Sequence, residues 1–298
     1  MDSNKTKNSG KNSISRRKFL AGSTAGFAGL AAGLSGTATA AGENPMRSMM
    51  FRDKVVLITG ATSGIGEAAA REFAAEGASV FFCGRREHLG ENVEAEIREA
   101  GGEATYLRAD VREEAQVKMF VDACVEKYGR VDIAFNNAGI EGPSGSFDKM
   151  EMDGTMGYDD LMKTNIDGVI YSMRYQIPYM KEQGSGVIVN VGSMLSHRGS
   201  SHWGAYAASK HAVIGMTRSA AAAHAGDGIR VLSLSPGGTE TELLRRFMGG
   251  SLENAGRNSP MGRIAQPEEV ARIVLSMCLD QNLFLNGDDI KADGASSA

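Results

Sequence analysis

The stretch that most constrains this chain is Thr59-Gly60-Ala61-Thr62-Ser63-Gly64-Ile65-Gly66. It follows the β-branched run Val55–Thr59 without a break, and an amphipathic segment at about 65–76 begins inside it. A strand that turns through glycines straight into a helix presents free N–H groups and the positive helix end to an anion, with no side chains in the way. The spacing is G-x-x-x-G-x-G rather than G-x-G-x-x-G. Glycines also serve such turns for steric reasons alone, but the strand-turn-helix context reads as a pyrophosphate cradle built from Gly60, Ser63, Gly64, Ile65 and Gly66.

From Lys54 onward short β-branched runs alternate with longer amphipathic ones, which is the pattern of βαβ units and a parallel sheet. Strands are expected at Val55–Thr59, Ser79–Cys83, Thr105–Arg108, Val131–Phe135, Val187–Val191 and Arg230–Leu234, with a short last one at Asp289–Ala292. Helices are expected at about 65–76, 87–100, 113–128, 158–182 and 204–225, with a kink at Pro178 and a last helix after Pro267. Glycines at 77 and 101–102 close the first two. These elements describe one doubly wound α/β domain of Rossmann type, about seven strands, over residues 51–298, with right-handed crossovers.

The 298 residues are 42% hydrophobic and 23% charged, enough apolar material for a full core. Residues 1–40 hold six of the 32 Lys and Arg but one of the 36 Asp and Glu, leaving 26 basic against 35 acidic residues beyond them. That acidic balance argues against nucleic acid as a partner. Cys83, Cys124 and Cys278 are scattered through apolar segments and read as buried free thiols; no His/Cys cluster has metal-ligand spacing. Residues 1–42 stand apart. A basic stretch leads through Ser15-Arg16-Arg17-Lys18-Phe19-Leu20 to an uncharged run of mostly Ala, Gly, Ser and Thr containing Ala38-Thr39-Ala40. This resembles a twin-arginine signal peptide cleaved after Ala40, and implies an exported, periplasmic or otherwise extracytoplasmic protein. The run is so poor in Leu, Ile and Val that it would partition weakly into lipid, which speaks against stable membrane insertion; an uncleaved membrane anchor or a disordered tail is the alternative. Met46 to Arg52 reads as a short leader into the domain.

Two further stretches carry chemistry. Tyr206-Ala207-Ala208-Ser209-Lys210 places a lysine one helical turn from a tyrosine, and Ser193 lies thirteen residues upstream. A neighbouring ammonium favours phenolate, so Lys210 is expected to draw the Tyr206 phenol down from ~10 towards the working range of a general acid/base. Alone, the pair could equally be a surface contact; of the seven tyrosines, however, Tyr206 is the one with Lys at +4. The second expected strand ends Phe82-Cys83-Gly84-Arg85-Arg86, where an acidic residue would bind the ribose 2′-hydroxyl of NAD. No carboxylate appears until Glu87, and Arg85 is placed to meet a 2′-phosphate, which favours NADP over NAD.

With Asn136-Asn137-Ala138-Gly139 after the fourth strand and Pro236-Gly237 after the sixth, the chain resembles the short-chain dehydrogenase/reductase family over about residues 51–295. The resemblance implies that Asp110 and Val111 cup the adenine, that Asn137, Ala138 and Gly139 line the cofactor, and that Asn165, Ser193, Tyr206 and Lys210 form a catalytic tetrad. Ser193 would hold the substrate oxygen, Tyr206 exchange the proton, Lys210 grip the nicotinamide ribose and polarise the tyrosine, and Asn165 hold a water leading to solvent. Pro236, Gly237, Thr239 and Thr241 would contact the nicotinamide end. Thr239 departs from the branched apolar residue usual there, Ser233 stands where asparagine is common, and Asp293-Gly294-Ala295 replaces the usual Asp-Gly-Gly.

The implied activity is NAD(P)-dependent interconversion of a small-molecule alcohol and its ketone or aldehyde; a redox-neutral or cofactor-sensing protein on the same fold is the alternative. Met194–Trp203 and a flexible lid at about Glu240–Ser259 would wall the substrate, with His197, Arg198, His202, Trp203, Arg245 and Arg246 as candidates. The family's habit of pairing through its long helices, here 158–182 and 204–225, implies a homodimer or homotetramer.

Overall fold

The computed structural model describes residues 49–257 and 259–298. The signal-like segment 1–42 and the first three residues of the leader, 46–48, therefore lie outside the described residues. Of the leader's far end, Phe51 is buried and sets its ring edge-on to Phe73, with centroids 4.9 Å apart.

Seven parallel strands form one sheet in the order β3-β2-β1-β4-β5-β6-β7. They are β1 (Val55–Thr59), β2 (Ser79–Gly84), β3 (Glu103–Arg108), β4 (Ile133–Asn136), β5 (Gly186–Val191), β6 (Ile229–Pro236) and β7 (Asp289–Ala292). Every strand foreseen is present, with ends shifted by up to two residues. Because a strand alternates its side chains between faces, β1 sends Val56 and Ile58 into one core and Val55 and Leu57 into the other. Helices α1 (Gly64–Ala75), α2 (Glu87–Glu99) and α8 (Pro267–Cys278) cover the first face. Helices α3 (Glu114–Tyr128), α5 (Gly168–Gln183) and α6 (Gly204–His224) cover the second. A sheet buried on both faces explains why its strands read as near-continuous apolar runs. The result is a single doubly wound α/β domain. Cys83, Cys124 and Cys278 are buried and free, as read from their apolar surroundings.

Two departures from the expected elements bear on the site. The long fourth helix is not continuous: α4 (Tyr158–Met162) passes into a π-helical turn, Lys163–Asp167, before α5 begins, and Pro178 lies inside α5. The irregularity falls around Asn165, whose side chain is tied to another segment; π-turns of this kind aim a residue that a regular helix would point elsewhere. The second departure is α7 (Glu242–Phe247), a short helix within the stretch expected to be a flexible lid. Thr241 starts it, its hydroxyl accepting from Leu244 N at 3.2 Å.

Beneath the carboxyl ends of β4 and β5 lies a polar network that no periodicity announces. Asn136 and Gln176 exchange two side-chain hydrogen bonds, of 3.2 and 2.8 Å. Asn136 also donates to Asn190 at 2.9 Å, and Asn190 donates to Thr217 at 3.0 Å. All four residues are buried, and they pin α5 and α6 to the sheet below the cleft. A buried amide that loses its partner forfeits more than one net hydrogen bond, because it can no longer reach water. Gln176→Leu should therefore lower the unfolding free energy by about 1–3 kcal/mol, read from urea denaturation; an unchanged midpoint would mean the network is energetically idle.

Candidate active site

The carboxyl ends of the parallel strands face one edge of the sheet, and the cleft opens there, where the strand order reverses between β1 and β4. Its volume is about 600 Å³. Gly60 and Gly64 take left-handed backbone angles, φ +69° and +61°, which glycine alone adopts without cost. A Cβ on Gly60 would lie 2.7 Å from Ala138 Cα, and one on Gly66 only 2.4 Å from Asn137 Nδ2, so the turn and the stretch after β4 touch with no room for a side chain. Asn137 stitches them together by donating to the carbonyls of Thr59 at 3.1 Å and Gly60 at 2.9 Å.

Nearly all the foreseen residues line this one cleft: Gly60, Ser63, Gly64, Ile65, Arg85, Asp110, Val111, Asn137, Ala138, Gly139, Ser193, Tyr206, Lys210, Pro236, Gly237, Thr239 and Thr241. Gly66 and Asn165 stand behind the wall. Asn165 is fully buried and spends its amide on Ile140, accepting from its N–H at 2.9 Å and donating to its carbonyl at 3.0 Å. It donates also to Ser209 Oγ at 3.1 Å, which ties the π-turn to α6. Ser193 is held by its place at the start of a 3₁₀ turn, Met194–Ser196: its hydroxyl accepts from Leu195 N at 3.1 Å and its own N–H donates to Ser196 Oγ at 2.9 Å.

Tyr206 and Lys210 are both buried in the wall, on α6. The Lys210 ammonium donates to the Val191 carbonyl at 2.8 Å and lies 5.7 Å from the centre of the Tyr206 ring. The expected lowering of the phenol is not what the structure gives. Burial, the largest influence, pushes Tyr206 up to about 12; hydrogen bonding with Ser193 pulls the other way, and the charge of Glu141 pushes it further up. The ammonium is committed to a carbonyl rather than to the phenolic oxygen, so desolvation dominates. Burial likewise pulls Lys210 down to about 8.

The cleft fits a dinucleotide. Ser63 precedes α1, but its hydroxyl accepts from Arg86 Nη2 rather than from the first helical turn, whose N–H groups are left to a ligand. Thr164, on the cleft wall, has a buried hydroxyl without a hydrogen-bond partner among the described residues. At the end of the cleft beside β2 burial alone would raise Asp110, but hydrogen bonds from the Arg112 side chain and backbone hold it low, and the nearby Arg85 adds to this. Arg85 is exposed, whereas Arg86 reaches across to Thr62, Ser63 and Glu242. Among the described residues no group of three or more His, Cys, Asp or Glu could hold a metal ion.

The two loops expected to wall the substrate divide. Met194, Leu195, Arg198, Ser200 and Trp203 line the cleft, as do Leu243, Arg246 and Phe247 of α7. His197, His202 and Arg245 do not line it; His197 is tied to Asp289 of β7 at 2.7 Å, and Arg245 borders a separate hollow beside α1. Sequence reasoning missed Glu141, a buried carboxylate two residues past Gly139 that pairs with Arg246. It also missed Arg86 as the arginine that faces the glycine turn.

The burial of Lys210 has a consequence for stability. Its value in the fold, about 8, lies below the ordinary 10.5, so between these limits the unfolded chain binds more protons. The cost of burying the charge is complete below pH 8 and fades as pH rises towards 10.5. In the ligand-free protein Lys210→Met should flatten the rise of stability with pH across that window, measured as Tm against pH; equal slopes in both proteins would contradict the assignment.

The family model described as short chain dehydrogenase matches residues 54–249. Cyclohexanol dehydrogenase of Acinetobacter sp. (strain SE19) is 36% identical over 248 residues, 83% of this chain and 96% of that protein. Levodione reductase of Leifsonia aquatica is 35% identical over 261 residues, with 83% and 96% covered. Among solved structures, a 3-ketoacyl-(acyl-carrier-protein) reductase from Brucella melitensis complexed with NADH superposes with a TM-score of 0.77 at 34% identity, covering 83% of this chain and all of that one.

Proposed function

The chain belongs to the short-chain dehydrogenase family, and we propose that it interconverts an alcohol and a ketone or aldehyde, with an NAD(P) cofactor and with Tyr206 exchanging the proton. The observation that carries this reading is the convergence of Ser193, Tyr206 and Lys210, from β5 and α6, on the cleft that begins at the glycine turn. The nicotinamide, when bound, supplies the hydride or takes it up. Ser193, fixed by its turn, orients the substrate oxygen beside the phenol. With its value near 12, Tyr206 carries its proton at neutral pH and can give it to an oxygen that gains negative charge as a carbonyl is reduced. In the reverse direction it must take a proton as phenolate, a form the buried Lys210 charge favours. Asn165 acts from behind by holding Ile140 and α6 together. The names of the relatives, a cyclohexanol dehydrogenase and a levodione reductase, support a small alicyclic or aliphatic substrate.

NADP is the cofactor we favour, because Arg85 and Arg86 both line the cleft where β2 ends, and the sequence from there holds no acidic residue before Glu87; Arg86 is engaged by Glu242, which leaves Arg85 as the arginine to meet a 2′-phosphate. The same proposal includes a twin-arginine leader at residues 1–42 with export from the cytoplasm, and pairing of subunits through α5 and α6.

Offered a panel of alcohols and ketones, the protein should change absorbance at the reduced-nicotinamide band. Tyr206→Phe should keep fold and cofactor affinity while turnover falls by at least ~100-fold; near-normal turnover in that variant would refute the role. Arg85→Asp should move the ratio of kcat/KM values for NADP and NAD towards NAD, through loss of a charge-assisted contact and added repulsion. A parent protein that already prefers NAD would overturn the cofactor choice.

A further inference from the structure

Helix α7 is fastened to the cleft at both ends, and the fastening at its carboxyl end touches the residues beside Tyr206. Glu141 lies in the loop after β4 with its carboxylate almost wholly buried, its side chain 5% exposed. Its ion-pair partner among the described residues is Arg246, which approaches as a fork: Nε meets Oε1, and Nη2 meets Oε2 at 3.0 Å. The next residue, Phe247, packs against Trp203 at 4.1 Å between centroids and sets its ring edge-on to Tyr206 at 5.0 Å. At the other end Glu242 pairs with Arg86, which holds Ser63 and Thr62 of the glycine turn. That second pair is open to solvent and contributes little on its own. The Glu141 pair differs, because a carboxylate removed from water needs its cation in place.

We propose that the Arg246–Glu141 pair is a latch through which α7 sets both the substrate wall and the charge felt by Tyr206. Arg246 and Glu141 are positioning residues that act through Phe247 and Tyr206. While the latch is closed, Arg246 offsets the negative charge of Glu141 and Phe247 closes the apolar wall over Trp203. When it opens, Phe247 is released and Glu141 stands uncompensated near the phenol, opposing phenolate. The charged groups facing Tyr206 are Glu141 from the loop after β4, with Arg246 of α7 behind it, and Lys210 from its own helix; Ser193 adds a hydroxyl from the end of β5. This inference rests on the reading of Tyr206 as the proton-exchanging group.

The chain carries one tryptophan, Trp203, so the state of the latch can be read without turnover. Arg246→Met, Glu141→Gln and the double variant would be compared with the parent, each first checked for a cooperative melt. Both single variants should show a red-shifted, more quenchable Trp203 emission. In alcohol oxidation kcat/KM should fall by roughly 10- to 100-fold in both. They should part in the pH profile. Arg246→Met leaves the Glu141 side chain without its cation, and the rising limb that reports phenolate should move to higher pH. Glu141→Gln removes the charge and should not move it upward, and the double variant should return the limb to the parent position. An upward shift in Arg246→Met that persists in the double variant, or no shift at all, would overturn the electrostatic half. Unchanged Trp203 emission in both single variants would overturn the closure half. Loss of the Tyr206 reading itself would appear separately, as near-normal turnover in Tyr206→Phe.

Discussion

Everything in the cleft depends on how closely two loops approach at the middle of the sheet. The turn after β1 and the stretch after β4 pack backbone against backbone, and Asn137 ties them through the carbonyls of Thr59 and Gly60. Because β1 and β4 are neighbours whose chains leave in opposite directions along the sheet, a crevice must open above them. At Gly60 and Gly66 the approach leaves no room for a Cβ, so the two segments are held in contact and the groups on either side of them are fixed relative to one another. The glycine turn borders one side of that crevice, and Gly139 lies against Lys210 and Asn165 on the other.

Much of this was legible because it is local. Strand, turn and helix signals sit within a few residues of one another, so the seven strands, the glycine turn and the run from Tyr206 to Lys210 were readable as patterns. What escaped was set by partners far away in the chain. The network of Asn136, Gln176, Asn190 and Thr217 spans four elements, and each of its members taken singly resembles a polar residue bound for the surface. Glu141 meets Arg246 across 105 positions, with no periodicity to announce the meeting. Helix α7, six residues long, is too short to give an amphipathic signal within the stretch expected to be a flexible lid. The charge balance at Tyr206 is not legible in the spacing either, which tells of the nearby ammonium but not of burial, the largest influence on the phenol.

The site also illustrates a conflict between stability and readiness. Lys210 is a cation held away from water with a single carbonyl at 2.8 Å, and Thr164 carries a buried hydroxyl with no partner among the described residues. Both are costly in a resting fold, and both lie on the wall of the same cleft. The polar network directly below is fully satisfied and lends the rigidity that such a wall requires.

The π-turn at Lys163–Asp167 carries a consequence for the helix beyond it. A wider turn holds one residue more than an α-helical turn would, so every residue of α5 is rotated by about 100° relative to an uninterrupted continuation of α4. Met173, Gln176 and Met180 therefore face the sheet by virtue of that surplus residue, not of their spacing from Tyr158. Healing the helix by a one-residue deletion would make its hydrogen bonding more regular and turn its apolar stripe away from the core. The irregular turn thus works as a phase-setting spacer, an inserted residue whose removal would leave good secondary structure and a misassembled layer.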